Sequence, residues 1–180
     1  MRLFYAVPLP QDAARAAAQC ARAAQAEIPG RYTLPENYHI TLAFIGDVQH
    51  ERLQDAHDVL LRCAAAFPRP RIALERADFF GRAENGILIL RAAAFPSLEP
   101  LHDALIRGLA MAGLPHDPGP FAPHITLARH ARITQQALDR AALPLAGAQP
   151  FTADCAHLYL SARDEKDILR YTPLRSAAFL

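Results

Sequence analysis

The hydrophobic and polar positions of this 180-residue chain follow the period of a strand in some segments and of a helix in others. Branched and aromatic runs predict strands over 2–9, 38–45, 71–80, 86–92, 151–161 and 170–179, and another within the proline-rich stretch 118–129. Apolar residues three and four positions apart predict helices over about 12–27, 51–67, 97–111 and 134–142. Asp12 and Ser97 are the expected N-caps of the first and third helices.

The order of these elements predicts an α+β fold. Strands and helices alternate without the regular βαβ order or the glycine fingerprint of a doubly wound nucleotide-binding fold. No linker or low-complexity stretch divides the chain, so we expect a single domain over residues 1–180.

The sequence His-Ile-Thr-Leu-Ala occurs twice, at 39–43 and at 124–128. Each copy lies in a predicted strand, where alternation places its histidine and threonine on one face and its isoleucine and leucine on the other. A predicted strand and helix precede each copy, which indicates two lobes related by a pseudo-two-fold axis. Such an axis would bring the two histidine-threonine faces together in one cleft.

Two histidines and two hydroxyls in one cleft favour acid–base phosphoryl chemistry. Of His39 and His124, a neutral one can take a proton from water while a protonated one gives a proton to a leaving oxygen. The hydroxyls of Thr41 and Thr126 can hold the non-bridging phosphate oxygens. The competing interpretation is packing, but packing alone would leave histidine and threonine free to vary. The spacing fits no zinc motif and no third ligand is marked, so we expect no metal site.

Phe44 and Arg129 each lie five residues after a motif histidine. Strict alternation points both toward the core, which suits phenylalanine but not arginine. A β-bulge near Ala128 would turn Arg129 to the cleft, where it could bind phosphate or a base instead of forming a structural salt bridge. For Phe44, core packing and stacking on a substrate base both stay open. Both are candidate substrate-binding residues.

Charge and composition limit the partners. The 19 basic and 18 acidic residues leave a net charge of +1. The protein as a whole therefore does not attract anions, and an anionic ligand must be bound by basic residues close to its site. Three scattered cysteines, no secretory signal and no long uncharged apolar window predict a cytoplasmic protein without membrane contact. No strongly apolar stripe remains beyond those that form the predicted core, so we expect a monomer.

The two motifs resemble those of the 2H phosphoesterase superfamily, and within it the RNA 2′,3′-cyclic phosphodiesterases, historically called 2′-5′ RNA ligases. The resemblance extends over RLFYAVPLP at 2–10, NYHITLAFIGDV at 37–48, FAPHITLAR at 121–129 and RYTPLRSAAF at 170–179. It implies two pseudo-symmetric αβ lobes whose antiparallel sheets form a concave cleft. The stretch 163–170 departs from the more basic sequence of relatives, because acidic residues interrupt it.

The resemblance also implies a reaction. Such enzymes hydrolyse RNA ends or nucleotides bearing a 2′,3′-cyclic phosphate to 2′-phosphomonoesters without a metal or nucleotide cofactor, and some ligate tRNA halves through a 2′-5′ bond. By this resemblance His39 donates a proton to the departing 3′ oxygen and His124 accepts one from water. The alternatives are a related enzyme for another cyclic nucleotide or a 2′-5′ oligonucleotide, and a non-catalytic module that binds RNA ends.

Overall fold

A computed structural model describes residues 1–180 and contains nine strands and four α-helices. The strands are β1 (Arg2–Pro8), β2 (Arg31–Tyr32), β3 (His39–Asp47), β4 (Arg71–Phe80), β5 (Gly86–Phe95), β6 (His124–Ala131), β7 (Phe151–Thr152), β8 (Cys155–Arg163) and β9 (Leu169–Ala178). The α-helices are α1 (Gln11–Gln25), α2 (Leu53–Ala65), α3 (Glu99–Met111) and α4 (Gln135–Ala142). None of these helices is long and apolar enough to cross a membrane.

The strands form two antiparallel sheets, as the predicted fold class requires. The first sheet has the order β3-β1-β8-β9 and the second the order β2-β6-β5-β4-β7. Helices α2 and α3 pack on the first sheet, and α1 and α4 pack on the second. The motif strands β3 and β6 contact each other where the two sheets meet. The two copies of the motif therefore lie at the junction of the lobes.

Each lobe is built from both halves of the chain. The first half contains β1-α1-β3 and the second repeats this order as β5-α3-β6. Strands β1 and β3 pair in the first sheet, yet the helix between them packs against β6 of the second sheet. Conversely, β5 and β6 pair in the second sheet, while α3 packs against β3. The repeat is therefore one of element order, and the helices are exchanged between lobes.

Three local predictions need correction. Helix α1 begins at Gln11 after Pro10, with no side-chain cap, so Asp12 lies in the first turn and is not the N-cap. The N-cap residue of α3 is Leu98, although the Ser97 hydroxyl accepts a hydrogen bond from the Glu99 N–H at 3.2 Å. The strand predicted over 151–161 is two strands, because β7 pairs with β4 and β8 pairs with β1.

The core is continuous beneath the two sheets. Buried aliphatic side chains from both lobes form one cluster, which includes Leu3, Ile40, Leu88 and Ile125. The isoleucine and leucine of each motif copy are buried in it, while the histidine and threonine are only partly buried. Hydrophobic burial thus fixes the face of each strand that the motif side chains present to the cleft.

Candidate active site

A β-bulge occurs at the same place in both motif strands. In β3, Thr41 pairs with Ala6 and Ala43 with Tyr5; in β6, Thr126 pairs with Ile89 and Ala128 with Leu88. Leu42 and Leu127 are therefore the extra residues of their ladders, and each is buried together with the alanine that follows it. The bulge restarts the alternation, so Phe44 and Arg129 return to the face that carries the histidines.

The bulges determine the orientation of Phe44 and Arg129, which the sequence left open. The predicted bulge before Arg129 is confirmed, and Arg129 is exposed. The core interpretation of Phe44 is wrong, since its side chain is 46% exposed. Strict alternation failed at Phe44 because the bulge in β3 reverses the faces of the residues that follow it.

Both motif histidines are held in the same orientation. The Nδ1 atom of His39 lies 2.7 Å from the carbonyl oxygen of Asn37, and that of His124 lies 2.7 Å from the carbonyl oxygen of Ala122. A carbonyl oxygen can only accept, so Nδ1 carries the hydrogen in both rings. The Nε2 atom of each ring is therefore the nitrogen available for proton transfer.

The two threonines differ in their contacts. The Oγ1 atom of Thr41 lies 3.0 Å from Nε2 of His39, and when that ring is neutral the hydroxyl donates to it. Thr126 makes no such bond with His124, whose only hydrogen bond is to Ala122. The Thr126 hydroxyl is thus free to donate to a ligand, whereas Thr41 would have to exchange partners.

His39 lies among aromatic rings. Its ring centroid is 4.9 Å from that of Phe4, 5.0 Å from that of Tyr171 and 6.1 Å from that of Tyr159. Burial lowers the pKa of His39 to about 4; the hydrogen bond to the Asn37 carbonyl opposes this shift, and the charges of His124 and Arg129 add to it. His39 is therefore neutral at pH 7 in the free protein.

His124 lies beside an arginine that pairs with it across the strands. Arg91 is directly opposite His124 in β5, its Nε donates to Asp78 at 2.8 Å, and its guanidinium lies 4.6 Å from the centroid of Phe80. Phe80 in turn meets the His124 ring edge-on at 4.9 Å. Burial lowers the pKa of His124, the Ala122 carbonyl opposes this, and nearby arginine charges lower the pKa further.

The structure brings the predicted site residues into one cleft. The charge of Arg129 lowers the pKa of both His39 and His124, so all three groups lie within electrostatic range of one another. Two partly buried imidazoles without a hydrogen on Nε2, two hydroxyls and a guanidinium can bind a phosphate group and move protons to and from it.

Sequence reasoning missed Asn37 and Arg91. Asn37 is 5% exposed, its amide donates to the Leu169 carbonyl at 2.8 Å, and its side-chain oxygen accepts from the Tyr171 N–H at 3.1 Å. An asparagine two residues before a motif histidine was a visible signal, but its partners are more than a hundred residues away. No sequence pattern pointed to Arg91, because only the register between β5 and β6 places it beside His124.

An aromatic cavity of about 340 Å³ is lined by residues of both motif strands, among them Thr41 and His124. Phe44, Phe80 and Phe121 line it, together with His102 and Asp117, which no sequence pattern had marked. The His102 ring stacks on Phe121 at 4.7 Å. The flat apolar walls of the cavity suit a planar ring such as a nucleobase. No group of three or more histidine, cysteine or acidic residues is placed to hold a metal ion.

Comparison with protein families and curated proteins gives consistent matches. The family model described as the 2′-5′ RNA ligase superfamily matches residues 8–167. Two relatives are named RNA 2′,3′-cyclic phosphodiesterase. The protein from Geobacillus stearothermophilus is 33% identical over 128 residues, which are 70% of this chain and 41% of the relative. The protein from Bacillus subtilis (strain 168) is 28% identical over 127 residues, which are 70% of this chain and 69% of the relative. The match thus spans less than half the length of the Geobacillus protein.

Solved structures match over nearly the whole chain. Escherichia coli LigT in apo form has a TM-score of 0.74 at 27% identity, covering 99% of this chain and 96% of that one. LigT complexed with 3′-AMP has the same TM-score and identity, covering 99% and 97%. TT0787 of Thermus thermophilus has a TM-score of 0.78 at 24% identity, covering 99% and 98%, and supports the fold alone.

Proposed function

The chain belongs to the 2′-5′ RNA ligase superfamily, and from that membership we propose that it hydrolyses 2′,3′-cyclic phosphate ends of RNA to 2′-phosphomonoesters. The observation that carries the proposal is the pair of imidazoles held alike through Nδ1, each with its Nε2 atom turned away from the backbone, where it can transfer a proton. The two relatives named RNA 2′,3′-cyclic phosphodiesterase support a reaction of this class. Both histidines are retained and oriented, which favours an enzyme over a non-catalytic module that binds RNA ends.

The reaction opens the five-membered phosphate ring. A water oxygen forms a bond to phosphorus, and the bond between phosphorus and the 3′ oxygen breaks. In the proposed sequence Nε2 of His124 takes the proton of the water, while Nε2 of His39 gives a proton to the 3′ oxygen. The dyad returns to its starting state by exchanging protons with solvent. If an RNA 5′-hydroxyl replaces the water, the same steps form a 2′-5′ linkage.

This sequence requires one proton on the two histidines. In the free protein burial lowers the pKa of both rings, to about 4 for His39. A bound cyclic phosphate carries one negative charge and raises the pKa of both rings again. We therefore expect the substrate to bind together with the proton that His39 later donates.

The remaining site residues would bind the substrate. The hydroxyls of Thr41 and Thr126 and the guanidinium of Arg129 would donate to the non-bridging oxygens, on which charge accumulates in the transition state. Phe44 would stack on a base, since it is exposed and lines the aromatic cavity beside Thr41. The chain itself supplies every group that the reaction needs.

The test is hydrolysis of 2′,3′-cyclic AMP in the presence of EDTA, with phosphorus NMR of the product. We expect adenosine 2′-phosphate to form at the same rate with and without the chelator. A 3′-phosphate product would contradict the role of His39 as donor to the 3′ oxygen. Loss of activity in EDTA would indicate a metal-bound hydroxide instead. A 2′-5′-linked diadenylate tested in parallel distinguishes the related activity on 2′-5′ oligonucleotides.

A further inference from the structure

Four exposed arginines lie together at one edge of the second sheet, and we call them the arginine edge: Arg31, Arg82, Arg129 and Arg132. None of them forms an ion pair, although eight other arginines of the protein do. The acidic residues of the adjoining turns are Glu84, which pairs with no arginine, and Glu27, which pairs with Arg140 of α4. The positive charge of this edge is therefore uncompensated.

Two of these arginines are direct neighbours across strands. Arg31 of β2 is opposite Arg129 of β6 in the antiparallel register. Residues in that relation project from the same face of the sheet, and two like charges there destabilise the pairing. The fold gains nothing from this pair, so the arrangement points to an anionic ligand that both guanidinium groups can share.

The other two arginines are brought to the same edge by backbone hydrogen bonds. The Ile133 N–H, next to Arg132, donates to the carbonyl of Ala83, next to Arg82, at 2.7 Å. The Arg132 N–H donates to the Pro29 carbonyl at 3.1 Å, close to the start of β2. The turns that carry Arg82 and Arg132 thus both adjoin the end of β6.

The arginine edge begins at the two histidines. Arg129 lies on the same strand as His124, and its charge lowers the pKa of both motif histidines. From there the edge continues along β6 and β2, away from the dyad. A ligand that reaches all four arginines must therefore be longer than the phosphate group held between the histidines.

The opposite rim of the cleft offers no comparable charge. In the turn between β8 and β9, Arg163 pairs with Asp167 at 3.2 Å. Arg170 pairs with Asp164 at 3.0 Å and with Glu36 at 2.6 Å. With a net charge of only +1 in the whole chain, the arginine edge is the side of the cleft that can attract a polyanion.

We propose that the arginine edge binds the backbone phosphates of single-stranded RNA on the 5′ side of the cyclic end. The inference rests on the proposed function, because a 3′-terminal cyclic phosphate between the histidines leaves the RNA to continue through its 5′ phosphodiester. The substrate is then an oligoribonucleotide, whereas a cyclic mononucleotide contacts only the histidines, the threonines, Phe44 and Arg129, and does not reach the other three arginines. Arginine suits this role because its planar fork matches two phosphate oxygens at once.

The decisive variant is the triple replacement Arg31→Ala, Arg82→Ala and Arg132→Ala, which leaves Arg129 in place. The matched control is Arg107→Ala, which removes an exposed, unpaired arginine from α3 on the other lobe. Each protein is assayed with 2′,3′-cyclic AMP and with a short single-stranded RNA ending in a 2′,3′-cyclic phosphate, over a range of salt concentrations. Anisotropy of labelled RNA ending in a 2′-phosphate measures binding without turnover.

We expect the triple variant to keep wild-type kcat/KM on the mononucleotide and to raise the KM for the RNA at least about tenfold. The slope of log affinity for the RNA against log salt should fall by about 2, since each phosphate contact with a single strand contributes about 0.7. The Arg107 control should match the wild type on both substrates. Unchanged RNA binding and salt slope in the triple variant would overturn the inference while mononucleotide hydrolysis still supported the proposed function. Tighter binding of duplex RNA or of an acidic peptide than of the single strand would also overturn it.

Discussion

At the scale of single residues, the site depends on two imidazoles whose hydrogen-bonded nitrogen is chosen by the local backbone. Each Nδ1 donates to the carbonyl two residues earlier in the chain, at 2.7 Å in both copies. Because the partner is so near in sequence, a repeat of the motif repeats the tautomer as well. The reactive Nε2 atoms are therefore fixed by short-range geometry.

Replacing either histidine should remove most of the activity. We expect His39→Ala and His124→Ala each to lower kcat for 2′,3′-cyclic AMP at least about 100-fold, because positioned proton transfer contributes that much or more. The double variant should be little slower than either single one, since the two rings act as a unit. Circular dichroism checks that each variant is folded, and near-normal hydrolysis by a folded single variant would contradict the two-histidine mechanism.

Removal of a threonine hydroxyl should lower kcat less than removal of an imidazole, but more than expected for a residue that only packs in the strand. We expect Thr41→Val and Thr126→Val to lower kcat about 10- to 1,000-fold, because valine keeps the shape and removes the donor to phosphate. Thr152→Val, in the short strand β7, is the control for a change of the same kind away from the cleft. Steady-state kinetics at saturating substrate decide the question: valine variants as fast as the wild type would make the threonines packing residues.

The pH dependence of kcat/KM, which reports on the free protein, should differ from that of kcat, which reports on the substrate complex. Burial lowers the pKa of both histidines in the free protein, so the singly protonated dyad is lost as pH rises through values below the ordinary 6.5. We expect the alkaline limb of kcat/KM to begin below pH 6.5. The alkaline limb of kcat should lie at higher pH, because the bound phosphate raises the pKa of both histidines.

Measurement of both profiles from pH 4 to pH 9 tests this expectation, and NMR titration of each imidazole assigns the limbs to the coupled pair. A kcat/KM that rises with pH to a plateau would refute the shared proton.

At the scale of elements, a buried asparagine ties the start of β3 to β9. The carbonyl of Asn37 orients His39, and its side chain is hydrogen-bonded to the backbone of Leu169 and Tyr171. The same strand β9 supplies the Tyr171 ring that packs on His39. We therefore propose that Asn37 is a positioning residue, which would act on the reaction through His39.

We expect Asn37→Ala to lower the free energy of unfolding by about 1–3 kcal/mol, because it leaves buried backbone groups unpaired. It should also change the pKa of His39 and reduce kcat more than it raises KM. Urea unfolding and NMR titration of His39 provide the measurements. Asn85→Ala, which removes an exposed side chain hydrogen-bonded only to His130, is the control and should be nearly neutral. A loss of stability without any change in the His39 titration would leave Asn37 with a structural role only.

At the scale of the whole molecule, the exchange of helices between lobes ties the two halves of the chain together. Helix α1 of the first half covers the second sheet, and α3 of the second half covers the first sheet. Each sheet is covered by one helix from each half of the chain, so neither half alone can bury the apolar face of a sheet. The cleft between the sheets is held in shape by the same exchange.

Unfolding should therefore be a single transition. We expect the urea curves from far-UV circular dichroism and from the near-UV signal of the tyrosines to coincide. Residues 1–82 and 83–180, expressed separately, should each be unfolded, while co-expression should restore the folded protein. A stable, structured half would contradict this account of the lobes.

The sequence by itself determined the motif residues of the candidate site and most of the elements. Both copies of His-Ile-Thr-Leu-Ala are strands with the predicted faces, and the strands predicted over 71–80 and 86–92 are present as the antiparallel pair β4 and β5. These features are local, because the strand period and the two-residue reach from histidine to carbonyl depend only on neighbouring residues. The similarity of the two copies was also enough to predict a shared cleft.

Only the tertiary structure decided which distant residues complete that cleft. The register of β5 against β6 places Arg91 beside His124, the bulge in β3 turns Phe44 outward, and Asn37 finds its partners in β9. Pairing of strands far apart in the chain follows from burial of the whole core, and no pattern within one segment encodes it. For the same reason the sequence repeat predicted two lobes but not the exchange of helices between them.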